Sequence, residues 1–171
     1  LSHALESLTA IRFDQRPAPD HPSNRPPYQG SNPISDIWSS KAIEIVAQYL
    51  RRAMQDADDI EARGQMLLAS SYAGIGFGNA GVHLPHAMCY SAAGMVRDYQ
   101  PDGYPSGYPL VPHGIAVILN APAVFRWIAQ ADPMRHLYAA QLLGVDIEGV
   151  PAQAAGEVLS DALIQLMRDT G

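Results

Sequence analysis

Histidine is the side chain best placed to do chemistry in this sequence, and its copies are unevenly spread. Of six, His83 and His86 stand together in Gly81-Val82-His83-Leu84-Pro85-His86, and His113 follows in Pro112-His113-Gly114. A fourth, His3, lies at the N-terminal edge. Neutral imidazole is the commonest metal ligand, and a mononuclear site needs three or four convergent donors. Residues three apart on a helix share a face, so His83 and His86 can both look into one cavity, and spacing does not choose between them. His113 is held between Pro and Gly at a loop-to-helix junction, a rigid way to present a ligand. His21 in a Pro-rich stretch and His136 in a charged turn read as surface or satisfied core residues without a ligand role.

Other chemistries find less support. Gly76-Phe77-Gly78-Asn79-Ala80-Gly81 matches the dinucleotide pattern G-x-G-x-x-G. That pattern carries meaning only between a strand and a helix, whereas residues 62–72 before it read as helical; close helix packing explains the glycines better. Cys89 lies three residues after His86 in an apolar stretch, a packing pattern rather than a catalytic dyad. The sequence contains no G-x-S-x-G elbow and no identifiable glycosidase carboxylate pair.

Composition bounds the partners. Among 171 residues 47% are apolar and 16% charged, which suits one globular domain with a proper core. The net charge is −6, with Lys41 the only lysine, so the basic stripe that nucleic acid calls for is missing. One cysteine excludes an internal disulfide and fits a reducing compartment. No apolar run approaches the roughly 20 residues of a membrane span. Nucleic acid and membrane are therefore not expected partners, and homo-oligomers are allowed.

The elements that must position the histidines read as all-α. Leu1, Leu5 and Leu8 recur at helical spacing through about Ala10, with no cap in front. Residues 16–30 are too rich in Pro for helix or sheet and predict an extended surface excursion. Asn32-Pro33 opens a helix through about Met54, with Ile37, Ala42, Ile45, Val46, Tyr49 and Leu50 on its apolar face. A second helix runs from Ile60 to about Tyr72. A Tyr/Gly/Pro loop over residues 98–112 precedes helices over 114–130, interrupted at Pro122, then 133–143 and 152–169. No segment alternates with period two.

Several of these stretches together resemble the iron-containing (group III) alcohol dehydrogenase family. They are Leu1-Ser2-His3-Ala4-Leu5-Glu6, Asn79-Ala80-Gly81 with His86-Ala87-Met88 beyond it, and Pro112-His113-Gly114. Tyr28-Gln29-Gly30-Ser31-Asn32-Pro33 and Pro109-Leu110-Val111-Pro112 narrow the resemblance to its hydroxyacid-oxoacid transhydrogenase branch. It implies a multi-helix bundle over residues 1–171, the C-terminal metal-binding domain of a longer enzyme, cut at both ends and lacking a Rossmann-like nucleotide domain. His3, His86 and His113 match the family's three histidine ligands, and an Asp ligand falls four residues before His3. His83 stands where the family has glycine, and Tyr90 where many members have a second histidine.

The resemblance further implies Fe(II), with Zn(II) able to take the same donors. It implies NAD in the full-length enzyme, and hydride transfer from an alcohol or short hydroxyacid, with 4-hydroxybutyrate as donor and 2-oxoglutarate as acceptor. Arg12, Arg16, Arg25 and Arg97 are the candidates to pair with substrate carboxylates. An ordinary NAD-dependent alcohol dehydrogenase is the alternative enzyme, and a non-catalytic metal-binding helical domain the alternative of another class. A sugar-phosphate cyclase needs a pocket rich in Lys and Arg, which one lysine does not supply. The expected location is cytoplasmic for a bacterial source and mitochondrial for a eukaryotic one. The isolated chain is expected to bind metal weakly and to lack dehydrogenase activity.

Overall fold

The helix at the centre of the molecule is its first. The computed structural model describes residues 1–104 and 107–171, so Pro105 and Ser106 of the Tyr/Gly/Pro loop lie outside the described residues. Helix α1 (Ser2–Thr9) buries Ala4, Leu5, Glu6, Ser7 and Leu8 in succession. A helix buried on every side must be enclosed by other elements, and α1 packs on α2 (Pro33–Gln55), α3 (Ile60–Ala80), α5 (His113–Ile118) and α7 (Pro133–Leu142). Helices α4 (Leu84–Gly94), α6 (Ala121–Ile128) and α8 (Ala155–Thr170) complete the bundle. Leu5, Leu8, Ile43, Phe125, Leu159 and Leu163 form its main core. Among the described residues β-pairing is limited to one isolated bridge between Arg12 and Ser31. The architecture is the all-α bundle expected.

The longest pair, α2 and α3, packs at close range because α3 turns its small residues inward. Ala62, Ala69, Ala73, Gly76 and Ala80 are buried, whereas Leu67 is 74% and Ile60 84% exposed. On α2, Ile37 likewise faces outward, so the expected apolar face is displaced toward Ser35, Ser39, Ala42 and Val46. A Cβ at Gly76 would stand 2.2 Å from Ser39 Oγ, which itself donates to Ser7 Oγ on α1. Gly76 thus lets three helices meet. The caps follow the sequence: Asn32 accepts from Ser35 N, and Asp59 accepts from Ala62 N.

Three boundaries differ from expectation. Helix α3 continues through the glycines to Ala80 and ends at Gly81, whose φ of +92° suits glycine. One 3-10 turn, Phe13–Gln15, precedes the Pro-rich excursion, and another, Pro22–Asn24, lies within it. The break between α5 and α6 falls at Leu119–Asn120. Pro122 occupies the first turn of α6, where its missing N–H costs nothing. Residue 136, expected in a turn, lies on α7 and is buried.

Two glycines of α3 should respond oppositely to the same change. At Gly78 a Cβ meets nothing within 4 Å, whereas at Gly76 it collides with Ser39. Gly76→Ala is expected to destabilise by about 1–3 kcal/mol through overpacking, and Gly78→Ala to stabilise by about 0.5–1 kcal/mol through helix propensity. Denaturant unfolding of the two variants measures both.

Candidate metal centre

Each histidine of the proposed set is delivered by a different element. His3 lies in the first turn of α1, His86 in the first turn of α4, and His113 is the first residue of α5, with Pro112 ahead of it at φ −56°. Their rings line one cavity of about 270 Å³ beside Leu163 and Leu166 of α8. The ring centres of His3 and His86 are 4.5 Å apart, and those of His86 and His113 are 5.4 Å apart. Three imidazoles holding one ion through nitrogen at about 2.1 Å place their ring centres about 5 Å apart, so the spacing is right for a shared ion. The rings do not yet converge on one point: among the described residues no group of three or more His, Cys, Asp or Glu side chains forms a ready ligand set. His3 is stacked on Phe77 with ring centres 4.2 Å apart.

His86 has the clearest polarity. It is 6% exposed, and its Nδ1 is paired with the carboxylate of Glu6, itself 0% exposed on α1. Glu6 Oε1 also accepts from His83 N at 2.8 Å and His86 N at 3.3 Å. With Nδ1 spent on Glu6, the remaining nitrogen, Nε2, is buried and has no partner. A carboxylate that holds one imidazole nitrogen and leaves the other free is the usual arrangement behind a metal-bound histidine. The donor set therefore fits a divalent ion.

The remaining neighbours explain the chemistry of the rings. Burial first, then the cationic forms of His86 and other neighbouring groups, lower His3 to about 4, so its imidazole is neutral and keeps a lone pair at neutral pH. His113 is exposed, with Cys89 Sγ 3.7 Å from its Nδ1 and the Tyr90 ring centre at 6.3 Å. Cys89 donates to the His86 carbonyl at 3.0 Å, and burial raises its thiol pKa, so it acts as packing. Glu6 was the functional residue that sequence reasoning passed over. Its signal was its place three positions after His3 at the end of Leu1-Ser2-His3-Ala4-Leu5-Glu6, one of the stretches that carry the resemblance.

His83 is not part of the trio. It is the residue before α4, and its Nε2 lies 3.0 Å from Thr9 Oγ1. The Thr9 hydroxyl donates to Leu5 O at 2.7 Å, so it accepts from His83, and His83 carries its proton on Nε2. Helix geometry allowed His83 and His86 to share a face. The helix starting only at Leu84 removes that possibility.

Among the described residues no helix is long and apolar enough to cross a membrane. The family described as Fe-containing alcohol dehydrogenase, C-terminal, matches residues 28–171. The chain is 55% identical over 170 residues to a rat protein named hydroxyacid-oxoacid transhydrogenase, mitochondrial, covering 99% of this chain and 36% of that one. It is 53% identical to the human protein of that name, with the same coverage. Among solved structures, a 1,3-propanediol oxidoreductase superposes with a TM-score of 0.77 at 28% identity, over 99% of this chain and 36% of that one. An alcohol dehydrogenase from Oenococcus oeni gives 0.77 at 27% identity with the same coverage. The chain spans little more than a third of the length of the relatives it matches.

Burial lowers His83 from 6.5 to about 4, with His136 and His86 contributing less. Protonation is thus harder in the fold than in the unfolded chain. The resulting stability is intact above about pH 6.5 and is lost as pH falls toward 4. Replacing His83 with Gln, which keeps a donor for Thr9, should flatten the fall in stability across that window by up to roughly 1.4 kcal/mol per pH unit. Urea unfolding at a series of pH values measures it.

Proposed function

The chain belongs to the Fe-containing alcohol dehydrogenase family, and on that premise we propose that His3, His86 and His113 hold the catalytic divalent metal of a full-length hydroxyacid-oxoacid transhydrogenase. The observation that carries this reading is His86: one ring nitrogen bound to a fully buried carboxylate, the other buried without a partner on a cavity it shares with the other two rings. Fe(II) is the metal the family name indicates, and Zn(II) suits the same donors. A divalent ion held by these residues would supply Lewis acidity toward an alcohol oxygen, which would favour loss of hydride from the carbinol carbon.

The protein's own residues prepare that chemistry. Glu6 holds the proton at His86 Nδ1 and so keeps Nε2 available as a lone pair. Phe77 sets the plane of His3 by stacking, and Pro112 sets the backbone from which His113 projects. Val117, Ile118 and Leu163 give the cavity apolar walls beside the three rings. The nicotinamide cofactor, NAD, and its binding residues belong to the remainder of the full-length protein, and the substrates are short hydroxyacids and 2-oxoacids. Two relatives, rat and human, carry the transhydrogenase name at over half identity, whereas the oxidoreductase structures stand at 27–28%, so the ordinary alcohol dehydrogenase is the second reading. A mitochondrial location follows from the names of the same relatives for a eukaryotic source.

In the full-length protein, His86→Ala and His113→Ala should lose bound metal, measured by mass spectrometry, together with turnover, while His83→Ala keeps the metal. Retention of metal by the first two would overturn the ligand set. Glu6→Gln should weaken metal affinity by about 10- to 100-fold while the fold persists. Turnover of 4-hydroxybutyrate with 2-oxoglutarate should proceed without added NAD; strict dependence on added NAD would assign the ordinary dehydrogenase instead.

A further inference from the structure

The helices that carry His86 and His113 meet at one thiol. Cys89 lies on α4 three residues after His86, is 1% exposed, and packs against Ala116 and Val117 of α5 and against Val111. His113 opens α5 and is itself exposed. Tyr90, beside it, is 71% exposed, with the two ring centres 6.3 Å apart. Burial therefore does not hold the ring of His113 in one orientation, and a ligand needs that orientation fixed.

Hydrogen-bond bookkeeping at the sulfur supplies what burial does not. A thiol has one proton, and that of Cys89 goes to the His86 carbonyl, 3.0 Å from Sγ. Toward its other polar neighbour, His113 Nδ1 at 3.7 Å, Sγ has only lone pairs to offer. Sulfur is larger than oxygen, and its hydrogen bonds are correspondingly longer. His113 Nδ1 therefore donates, and in the neutral ring the lone pair is left on Nε2. His86 has the same polarity: its Nδ1 is paired with Glu6, and its Nε2 is buried without a partner on the cavity that His113 also lines. A metal-bound histidine is typically held from behind in this way, through its second nitrogen.

We propose that Cys89 is the positioning residue of His113: its sulfur accepts the Nδ1 proton, fixes the tautomer and rotation of the ring, and leaves Nε2 for the metal. The same sulfur donates to the backbone of His86, so one packed side chain ties the backbone of one ligand to the ring of the next. The ring centres of the two histidines, 5.4 Å apart, are held across the contact between α4 and α5. Cys89 acts through His113 and is not a catalytic residue. This role rests on the proposed ligand set and deepens it.

The test uses the full-length protein with 15N-labelled histidine, stripped of metal by a chelator, at neutral pH. Nitrogen chemical shifts should show His113 as the Nδ1–H tautomer, its signal assigned by loss in His113→Gln. Cys89→Val keeps the apolar volume and removes the acceptor, whereas Cys89→Ser keeps a donor and an acceptor. The Val variant should lose the single tautomer of His113, and the Ser variant should retain it. Zinc affinity, read by competition with a chromophoric chelator, should fall about 3- to 10-fold in Cys89→Val, the worth of one weak hydrogen bond. Cys89→Ser should recover most of that loss. An Nε2–H tautomer of His113 in the unaltered protein overturns the proposal. So does a Val variant with unchanged tautomer and zinc affinity, or a loss equal in Val and Ser, which packing alone would produce. The first readout needs no Cys89 variant and survives one that fails to fold. Because the tautomer is read without metal, failure of the ligand assignment leaves it intact. Failure here leaves the loss of metal in His113→Ala unchanged.

Discussion

A single buried carboxylate organises the centre of this molecule. Glu6 has no solvent exposure, and an ionised carboxylate taken out of water without partners costs several kcal/mol. The fold answers with three donors, the backbone N–H groups of His83 and His86 and the ring of His86. Those two backbone donors come from the residue before α4 and from its first turn, and α4 lacks a side-chain cap from that preceding residue. Glu6 therefore caps α4 from another helix, and its negative charge sits favourably at the positive end of the helix dipole. Meeting one electrostatic requirement fixes α4 against α1 and orients the ring of His86.

The same helix carries a second polar contact that ties the long helices to it. Ser7 accepts from Ser39 on α2, and Gly76 on α3 leaves the space that Ser39 occupies. On the far side Arg135 of α7 donates to Leu8 O at the end of α1 and makes paired bonds of 2.8 and 2.7 Å to Asp36 of α2. A helix of eight residues is too short to be stable alone, so its position comes from these neighbours and from the packing of Leu5 and Leu8. His3 is exact in place only because α1 is held at both ends.

The segment from Gly81 to His86 divides two chemical environments. His86 turns toward Glu6 and the cavity it shares with His3 and His113, while His83 turns toward Thr9 and a larger cavity lined by His136. Gly81, packed against Tyr28 with φ +92°, ends α3 and lets the chain reverse between them. Two histidines three residues apart thus serve separate surroundings, because a helix start falls between them.

The sequence by itself determined the helical character, the caps at Asn32 and Asp59, the rejection of a nucleotide loop at Gly76–Gly81, and the family. These depend on local periodicity, on single-residue backbone preferences and on motifs that survive without coordinates. It also named His3, His86 and His113, through the resemblance rather than through spacing. What only the tertiary structure decided was which atoms are engaged and which are free. The tautomer of His83, the free Nε2 of His86 and the role of Glu6 depend on residues 74 to 80 positions apart being brought into contact. Periodicity gives the face of a helix, and hydrogen bonding across elements gives the chemistry of the side chain. The latter exists only once burial has removed water as the competing partner.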